Sequence, residues 1–221
     1  MLEKALEKTN GCSVEKFCVT IDRGFGSWGK TIGVKLAEKL GIEYYDRDLS
    51  RLSADYSGIN ERLFVNVDEK NVKSRLFHRS TPVDLNATLS PDDEKFVSDD
   101  NLFRLQAKVI RDLADKENCV IIGRCGSYVL ADVPHAVRVF VHAPLEVCIK
   151  NVEQRYGVDA KEAARLIEQA DSNRRAYYKY YTGGKVWGEA VNYDLTINTA
   201  KIGADKAVEL ILDYIRIRGA R

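Results

Sequence analysis

Residues 24 to 31 have the glycine, lysine and threonine spacing that is typical of a phosphate-binding loop. They read GFGSWGKT and match the pattern G-x-x-x-x-G-K-[ST] in full. In such a loop the glycines let backbone N–H groups turn toward phosphate oxygens, and the following helix adds a partial positive charge. Lys30 is expected to reach the β- and γ-phosphates, and the Thr31 hydroxyl is expected to hold Mg²⁺. The residues that we predict to bind the donor are Gly24, Gly26, Ser27, Trp28, Gly29, Lys30 and Thr31.

The segments on either side of the loop provide the context that this motif requires. Residues 16–21 read KFCVTI, a short apolar run that predicts a strand. Residues 31–40 have helical spacing and end at Gly41. A chance match in a glycine-containing turn is the alternative, and the order strand, loop, helix argues against it.

Two arginines are placed where a second phosphate chain could be neutralised. The guanidinium group suits this task because its fork matches two phosphate oxygens at once. Arg124 follows the apolar run 120–122 and Gly123, so we expect it at the mouth of a sheet beside the loop. Arg155 lies in a charged stretch that we interpret as a lid, from which it would reach the donor phosphates on closure. A plain surface position is the alternative for each arginine.

Three further charged residues are candidates for contacts with the second substrate. Asp171 and Arg174 are three residues apart and share one face of a predicted helix. From spacing alone, a solvated ion pair worth only about 0.3–0.5 kcal/mol is the simpler explanation. Asp46 ends a short strand and could contact the acceptor or orient water around magnesium. It could equally cap the next helix, a role for which Asp48 is just as suitable.

The composition excludes several classes of protein. Lys and Arg total 34 and Asp and Glu total 33, so the net charge of +1 argues against a nucleic-acid partner. The five cysteines include no C-x-x-C pair, which predicts reduced thiols and no zinc site. The N-terminus lacks the apolar core of a signal peptide, and no run approaches the ~18 apolar residues of a membrane span. We therefore expect a cytoplasmic protein without a membrane partner.

Apolar runs alternate with helical patterns along the chain, which predicts an α/β fold with a parallel sheet covered on both faces. The expected strands are 17–21, 43–45, 119–122, 137–141 and 195–197. The expected helices are 30–40, 48–56, 101–117, 144–156, 160–181 and 204–216. Asp159 is the expected N-cap of the longest helix, and Gly157 is expected to end the helix before it.

We interpret residues 1–221 as one domain with three additions to its core. Residues 1–14 form an N-terminal extension, 51–100 a polar insert that would bind the acceptor, and 151–190 a lid region. Ordinary surface elaboration is the alternative for the insert and the lid. The aromatic run 177–181 is more suited to packing or to a dimer contact than to base stacking, so a homo-oligomer stays open.

Taken in order, these motifs resemble the cytidylate kinase-like branch of the nucleoside monophosphate kinases. The markers are the loop at 24–31, YYD at 44–46, VIIGRC at 120–125, VFVHAP at 139–144, DSNR at 171–174, the stretch 177–183 and NYDLTINT at 192–199. The resemblance implies a three-layer α/β/α P-loop kinase fold with a five-stranded parallel sheet, an acceptor-binding insert and a helical lid. It also implies transfer of the γ-phosphoryl group of ATP, with Mg²⁺, to CMP or dCMP.

By this resemblance the charged candidates acquire specific roles. Asp46 looks like the acidic residue that contacts the acceptor, and Arg124 like the arginine on the acceptor phosphate. Asp171 and Arg174 look like the pair that holds the cytosine nucleotide, which raises them above a solvated ion pair. Lys30, Arg124 and Arg174 would then carry the charge of the transition state, as catalytic residues.

The chain departs from the cytidylate kinase pattern at three places. Ile122 stands where those enzymes have an aspartate, and Leu52 where they have an arginine, for which Arg47 or Arg51 could substitute. The stretch 64–96 does not match their cytidine-reading insert. Two alternatives therefore stay open: a kinase of another small phosphoryl acceptor, and a nucleotide-binding regulatory protein without turnover.

Overall fold

The computed structural model of this chain describes residues 16–69 and 81–219. Five strands form one parallel sheet in the order β2-β3-β1-β4-β5. The strands are β1 (Cys18–Arg23), β2 (Glu43–Tyr45), β3 (Cys119–Ile122), β4 (Ala136–His142) and β5 (Leu195–Asn198). The expected five-stranded parallel sheet is confirmed. The expected extension at 1–14 and part of the expected insert lie outside the described residues.

Eight α-helices and one 3₁₀ turn connect these strands in the described part of the chain. They are α1 (Gly29–Leu40), α2 (Asp48–Ser57), α3 (Glu61–Glu69), α4 (Asp99–Lys116), α5 (Gly126–Val129), α6 (Leu145–Tyr156), α7 (Ala160–Tyr181), α8 (Gly203–Gly219) and the turn Ala190–Asn192. Helices α3 and α5 were not expected, and the other six agree with the expected helices apart from shifts at their ends. Within residues 16–69 and 81–219, no helix is long and apolar enough to cross a membrane.

The sheet is the middle of three layers because its strands bury side chains on both faces. On one face, Val19 and Ile21 of β1 pack against α1 and α8. On the other face, Cys18 of the same strand packs among residues of α4 and α5. Successive strand residues point to opposite faces, so Asp22 falls on the α5 side, where Ser127 contacts it. The described cysteines are all buried and free.

The parallel arrangement brings the ends of three strands to one edge of the sheet. The phosphate loop follows β1, Asp46 follows β2, and Gly123 with Arg124 follows β3. Ligands of open α/β sheets bind outside this carboxyl edge. Residues up to 100 positions apart in the chain therefore meet at one site.

The described part of the insert, residues 51–69 and 81–100, is more regular than its polar sequence suggested. Helices α2 and α3 pack on α4 through buried residues that include Leu49, Phe64 and Phe103. Further along, the Val83 N–H donates a hydrogen bond to the Tyr181 carbonyl (3.1 Å). The described part of the insert is therefore tied to α4 and to the end of α7, and it extends the hydrophobic core.

Asp159 caps α7, as expected, and this cap supports a direct stability test. Its carboxylate accepts a hydrogen bond from the Glu162 N–H (2.8 Å). We expect Asp159→Ala to lower the free energy of unfolding by about 1 kcal/mol, because a first-turn N–H loses its partner. Urea denaturation measures this change. Lys161→Ala, exposed in the same turn, is the control, and an equal loss in both variants would contradict the capping role.

Candidate active site

A cleft of about 890 Å³ opens at the carboxyl edge of the sheet, beside the loop. Most of the predicted site residues line it: Gly24, Gly26, Trp28, Gly29, Lys30, Asp46, Arg124, Arg155 and Arg174. Ser27, Thr31 and Asp171 do not belong to its lining. The structure therefore brings the loop and the candidate cations together, while the role of each residue toward a ligand stays a prediction.

The loop adopts a backbone that its sequence is suited to form. Gly26 has φ +83°, and a Cβ there would lie 2.7 Å from the Cys148 carbonyl oxygen. Only glycine fits such a position. Trp28 also has a positive φ, 67°, directly before α1 begins at Gly29. The N-terminus of a helix and the loop before it thus form the frame of an anion site.

Side chains from other elements hold the loop in this conformation. Ser27 donates its hydroxyl to the Val141 carbonyl at the end of β4 (3.0 Å), and Thr199 donates to the Ser27 carbonyl (3.1 Å). Asn151 of α6 donates to the Gly26 carbonyl (2.8 Å). The Ser27 side chain is fully buried and is used inside the protein. A contact of Ser27 with phosphate stays a prediction.

Asp171 and Arg174 contact the loop from α7. The Asp171 carboxylate accepts hydrogen bonds from the Phe25 N–H (2.9 Å) and from Arg174 Nη1 (2.9 Å). Arg174 Nη1 also donates to the Arg23 carbonyl (3.1 Å). The simpler explanation from spacing, a solvated pair, is wrong, because the two side chains are only 14% and 26% exposed. Asp171 positions the loop and Arg174, and its contact with an acceptor stays a prediction.

Burial disfavours the charged form of both residues, so it moves their pKa values in opposite directions. Burial raises the pKa of Asp171, and Arg174 and the Phe25 N–H oppose this rise. Burial also lowers the pKa of Arg174 to about 10, and the neighbouring charge of Arg23 adds to the effect. At neutral pH the guanidinium stays protonated, so it is a desolvated cation whose attraction to a phosphate is strengthened.

Asp46 links the second strand to the loop lysine. Its Oδ2 accepts from Lys30 Nζ at 2.7 Å, and its Oδ1 lies 3.9 Å from Arg23 Nη2. Burial opposes ionisation of Asp46, but Lys30, Arg23 and Arg124 together lower its pKa. Asp46 does not cap α2, whose N-cap position is Arg47 without a side-chain hydrogen bond. A donor phosphate at Lys30, as predicted, would have to compete with this carboxylate.

Arg124 and Arg155 face the cleft from different sides. Arg124 follows β3 and Gly123, has φ 55° and is half-buried. Burial lowers its pKa, while Tyr177 and Asp46 oppose this effect. Arg155 is exposed near the end of α6. The two arginines therefore line different parts of the cleft. Arg124 lies at the end of β3, and Arg155 belongs to α6, which with α7 forms a helical hairpin beside the loop.

Sequence reasoning missed Asp22 and Arg23, the two residues directly before the loop. Asp22 is 3% exposed, and its Oδ2 accepts hydrogen bonds from Ser127 (2.6 Å) and Tyr193 (3.1 Å). Burial raises the pKa of Asp22. Both residues line the cleft. The available signal was two charged residues that end an otherwise apolar strand.

The residues near the loop offer oxygen donors that suit magnesium. Thr31 is half-buried in the first turn of α1, and Asp46 supplies a carboxylate at the cleft. The described residues contain no group of three or more His, Cys, Asp or Glu that would hold a metal. Mg²⁺ usually needs one or two protein oxygens beside phosphates and water, so this set fits. Ile122 is buried against the Gly33 side of α1 and adds no donor.

Comparison with known proteins gives a consistent result over most of the chain. A family model described as the cytidylate kinase-like family matches residues 18–201. A cytidylate kinase of Desulfurococcus amylolyticus is 26% identical over 86% of this chain and 88% of its own length. One of Methanopyrus kandleri is 25% identical over 87% and 90%. A crystal structure of an uncharacterized protein from Eubacterium ventriosum has a TM-score of 0.67 and 26% identity, covering 90% of this chain and 98% of its own.

The raised pKa of Asp22 predicts a pH-dependent stability. The folded protein binds the proton of the Asp22 carboxyl group more tightly than the unfolded chain does. Stability is therefore lost as pH rises from the ordinary pKa of an aspartate, near 4, through the raised pKa of Asp22 in the folded protein. We expect Asp22→Asn to raise Tm at pH 8 by about 2–4 °C, and the gain to shrink toward pH 4. Thermal melts across this range measure it. Asp92→Asn, at an exposed position, should change nothing, and a wild type that is more stable than Asp22→Asn at pH 8 would refute the idea.

Proposed function

We propose that this protein, which belongs to the cytidylate kinase-like family, transfers a phosphoryl group from ATP to a nucleoside monophosphate, with CMP or dCMP as the best candidates. One observation carries the proposal. Six of the eight residues of the phosphate loop, together with arginines from other elements, line one cleft at the carboxyl edge of a parallel sheet. Such a site is suited to two phosphorylated substrates held in line.

The charge of the cleft supports a polyanionic ligand. Six cationic side chains line it: Arg23, Lys30, Arg47, Arg124, Arg155 and Arg174. Only two acidic side chains, Asp22 and Asp46, are among the described lining residues. This excess of positive charge attracts and neutralises the phosphates of a donor and an acceptor together.

Catalysis in this proposal rests on positioning and charge neutralisation, with little covalent chemistry by the protein. Lys30 binds the donor phosphates, Arg124 the acceptor phosphate, and Arg174 the charge that develops between them. Donor binding would draw Lys30 from Asp46 and so release the carboxylate for the acceptor contact that we predict. Magnesium, when bound near Thr31 and Asp46, supplies further neutralisation of the phosphate oxygens.

The helical hairpin of α6 and α7 covers the loop and would act as the lid. The rings of Phe25 and Tyr156 stack with their centroids 5.7 Å apart. The Arg174 guanidinium carbon lies 5.7 Å from the centroid of the Phe25 ring. Excluding water over the loop would suppress hydrolysis of ATP. The proposal treats residues 151–190 as the lid and 51–100 as the acceptor-binding insert of one domain. It also assumes that the protein acts in the cytoplasm.

The nature of the acceptor base rests on the relatives. Cytidylate kinases are the curated proteins that this chain resembles, at about a quarter identity. Among the described residues of 51–100, none lines the cleft. The cleft therefore supports the phosphates of the acceptor, and the names of the relatives support cytidine.

A second candidate function is nucleotide sensing without turnover. Ile122 favours it, because this residue places a buried methyl group where an acidic side chain would help to hold magnesium. Calorimetry would then detect ATP binding while no acceptor leads to ADP formation.

A panel of acceptors tests the proposed reaction directly. With MgATP, we expect ADP formation in the presence of CMP or dCMP to exceed that with UMP, AMP or GMP, as measured by a coupled assay. Turnover confined to an acceptor that is not a nucleotide would refute the nucleotide assignment. ATP binding without turnover of any acceptor would favour the sensing function.

Removal of the loop lysine tests the donor side. We expect Lys30→Ala to lower kcat at least about tenfold, because the transferred phosphoryl group loses the positive charge of Lys30, and to leave the fold of the protein intact. Lys35→Ala is the matched control, since Lys35 lies on the same helix and pairs with Asp205 outside the cleft. Full activity of Lys30→Ala would mean that the loop does not hold the transferred group.

A further inference from the structure

We propose that Arg23 is a further phosphate-binding residue, which contacts the phosphoryl group as it passes from the donor to the acceptor. The inference deepens the proposed phosphoryl transfer and rests on it. It arises from the place of Arg23 at the end of β1, directly before the loop and inside the cleft.

Two glycines give this arginine its path across the edge of the sheet. A Cβ on Gly29 would lie 2.3 Å from Arg23 Cβ, so the loop leaves room for the stem of the side chain. A Cβ on Gly123 would lie 2.3 Å from Arg23 Nη1, so the end of β3 leaves room for the guanidinium. Gly29 precedes Lys30 and Gly123 precedes Arg124. The guanidinium therefore lies between the donor loop and the predicted acceptor arginine.

The position of Arg23 is stabilised without using its guanidinium fully. Its backbone carbonyl accepts a hydrogen bond from Arg174 (3.1 Å). Its Nη2 lies 3.9 Å from Asp46 Oδ1, which is beyond hydrogen-bond length and makes the contact electrostatic. The side chain is 20% exposed, so the fork is reachable from the cleft. A phosphate oxygen would offer it shorter and better aligned contacts.

The surrounding charges favour an anion at this point. The Asp46 carboxylate faces Lys30, Arg23 and Arg124, and the buried Asp22 carboxylate interacts with Arg23 and Arg174, so cations outnumber carboxylates around Arg23. Burial lowers the pKa of both Arg124 and Arg174, and repulsion from Arg23 lowers each further. Arg23 thus repels two other guanidinium groups, those of Arg124 and Arg174, in a partly buried site. A phosphoryl group in transfer relieves this repulsion, which is how preorganised cations stabilise a transition state.

A pair of variants distinguishes a phosphate-binding role of Arg23 from a purely structural role. Arg23→Met keeps an unbranched stem to pack on Gly29 and removes the charge. Arg23→Lys keeps the charge and loses the two-pronged hydrogen bonding. Arg165→Met is the matched control, because Arg165 is exposed on α7 and pairs with Glu162.

Calorimetry with a non-hydrolysable ATP analogue and with ADP, alongside kcat for the best acceptor, tests the proposal. We expect Arg23→Met to weaken binding of the analogue at least about tenfold and of ADP by less than about threefold, since only the analogue carries the third phosphate. We expect kcat to fall by about 10²–10³-fold, the usual cost of one lost charge-stabilising donor. Arg23→Lys should recover part of kcat, and Arg165→Met should match the wild type.

The outcomes separate this proposal from the proposed function. If the wild type binds the analogue and turns over an acceptor, and Arg23→Met has the same affinities and the same kcat, only the proposed role of Arg23 is wrong. An equal loss for ADP and the analogue, with a lower Tm, would show a structural role and overturn the proposal as well. If the wild type does not bind the analogue, the donor site itself is refuted, and the role of Arg23 with it.

Discussion

The loop between β1 and α1 must be held in one backbone conformation, and the rest of the site depends on this constraint. Side chains from distant elements meet it: Asp171 accepts from the Phe25 N–H, and Asn151 and Thr199 donate to loop carbonyls. The loop's own Ser27 turns inward to β4. Because these partners come from α6, α7 and the residue after β5, the loop can be in place only when those elements are packed.

The same partners distribute charge around the loop. Asp171 orients Arg174 while it holds the backbone, so one carboxylate performs both tasks. Asp46 keeps Lys30 at the end of β2 until a phosphate competes for it. If the cations act as we propose, the cleft holds them close to the phosphates before any ligand binds, and less reorganisation would be needed on binding. Mutual repulsion and desolvation of the arginines are the cost of this arrangement.

Asp22 shows that the site also carries an unfavourable group inside its floor. A carboxylate that is 3% exposed is held by two hydroxyl groups, and burial raises its pKa. Groups with perturbed ionisation concentrate at functional sites. The surrounding core compensates for this cost, because apolar residues are packed on both faces of the sheet.

The sequence by itself determined the features that depend on neighbours along the chain. These are the loop motif, five strands, six of the helices and the Asp159 cap, since hydrophobic period, glycine positions and capping are local properties. Helix α3 was not predicted from the sequence, because its few apolar residues form a buried face only when α4 packs against them. The partners of Asp171 and the path of Arg23 were decided by the tertiary structure alone. Phe25 and Asp171, which are 146 positions apart, meet at the loop. The chain has many carboxylates and arginines, and packing rather than spacing along the chain decides which of them reach the loop.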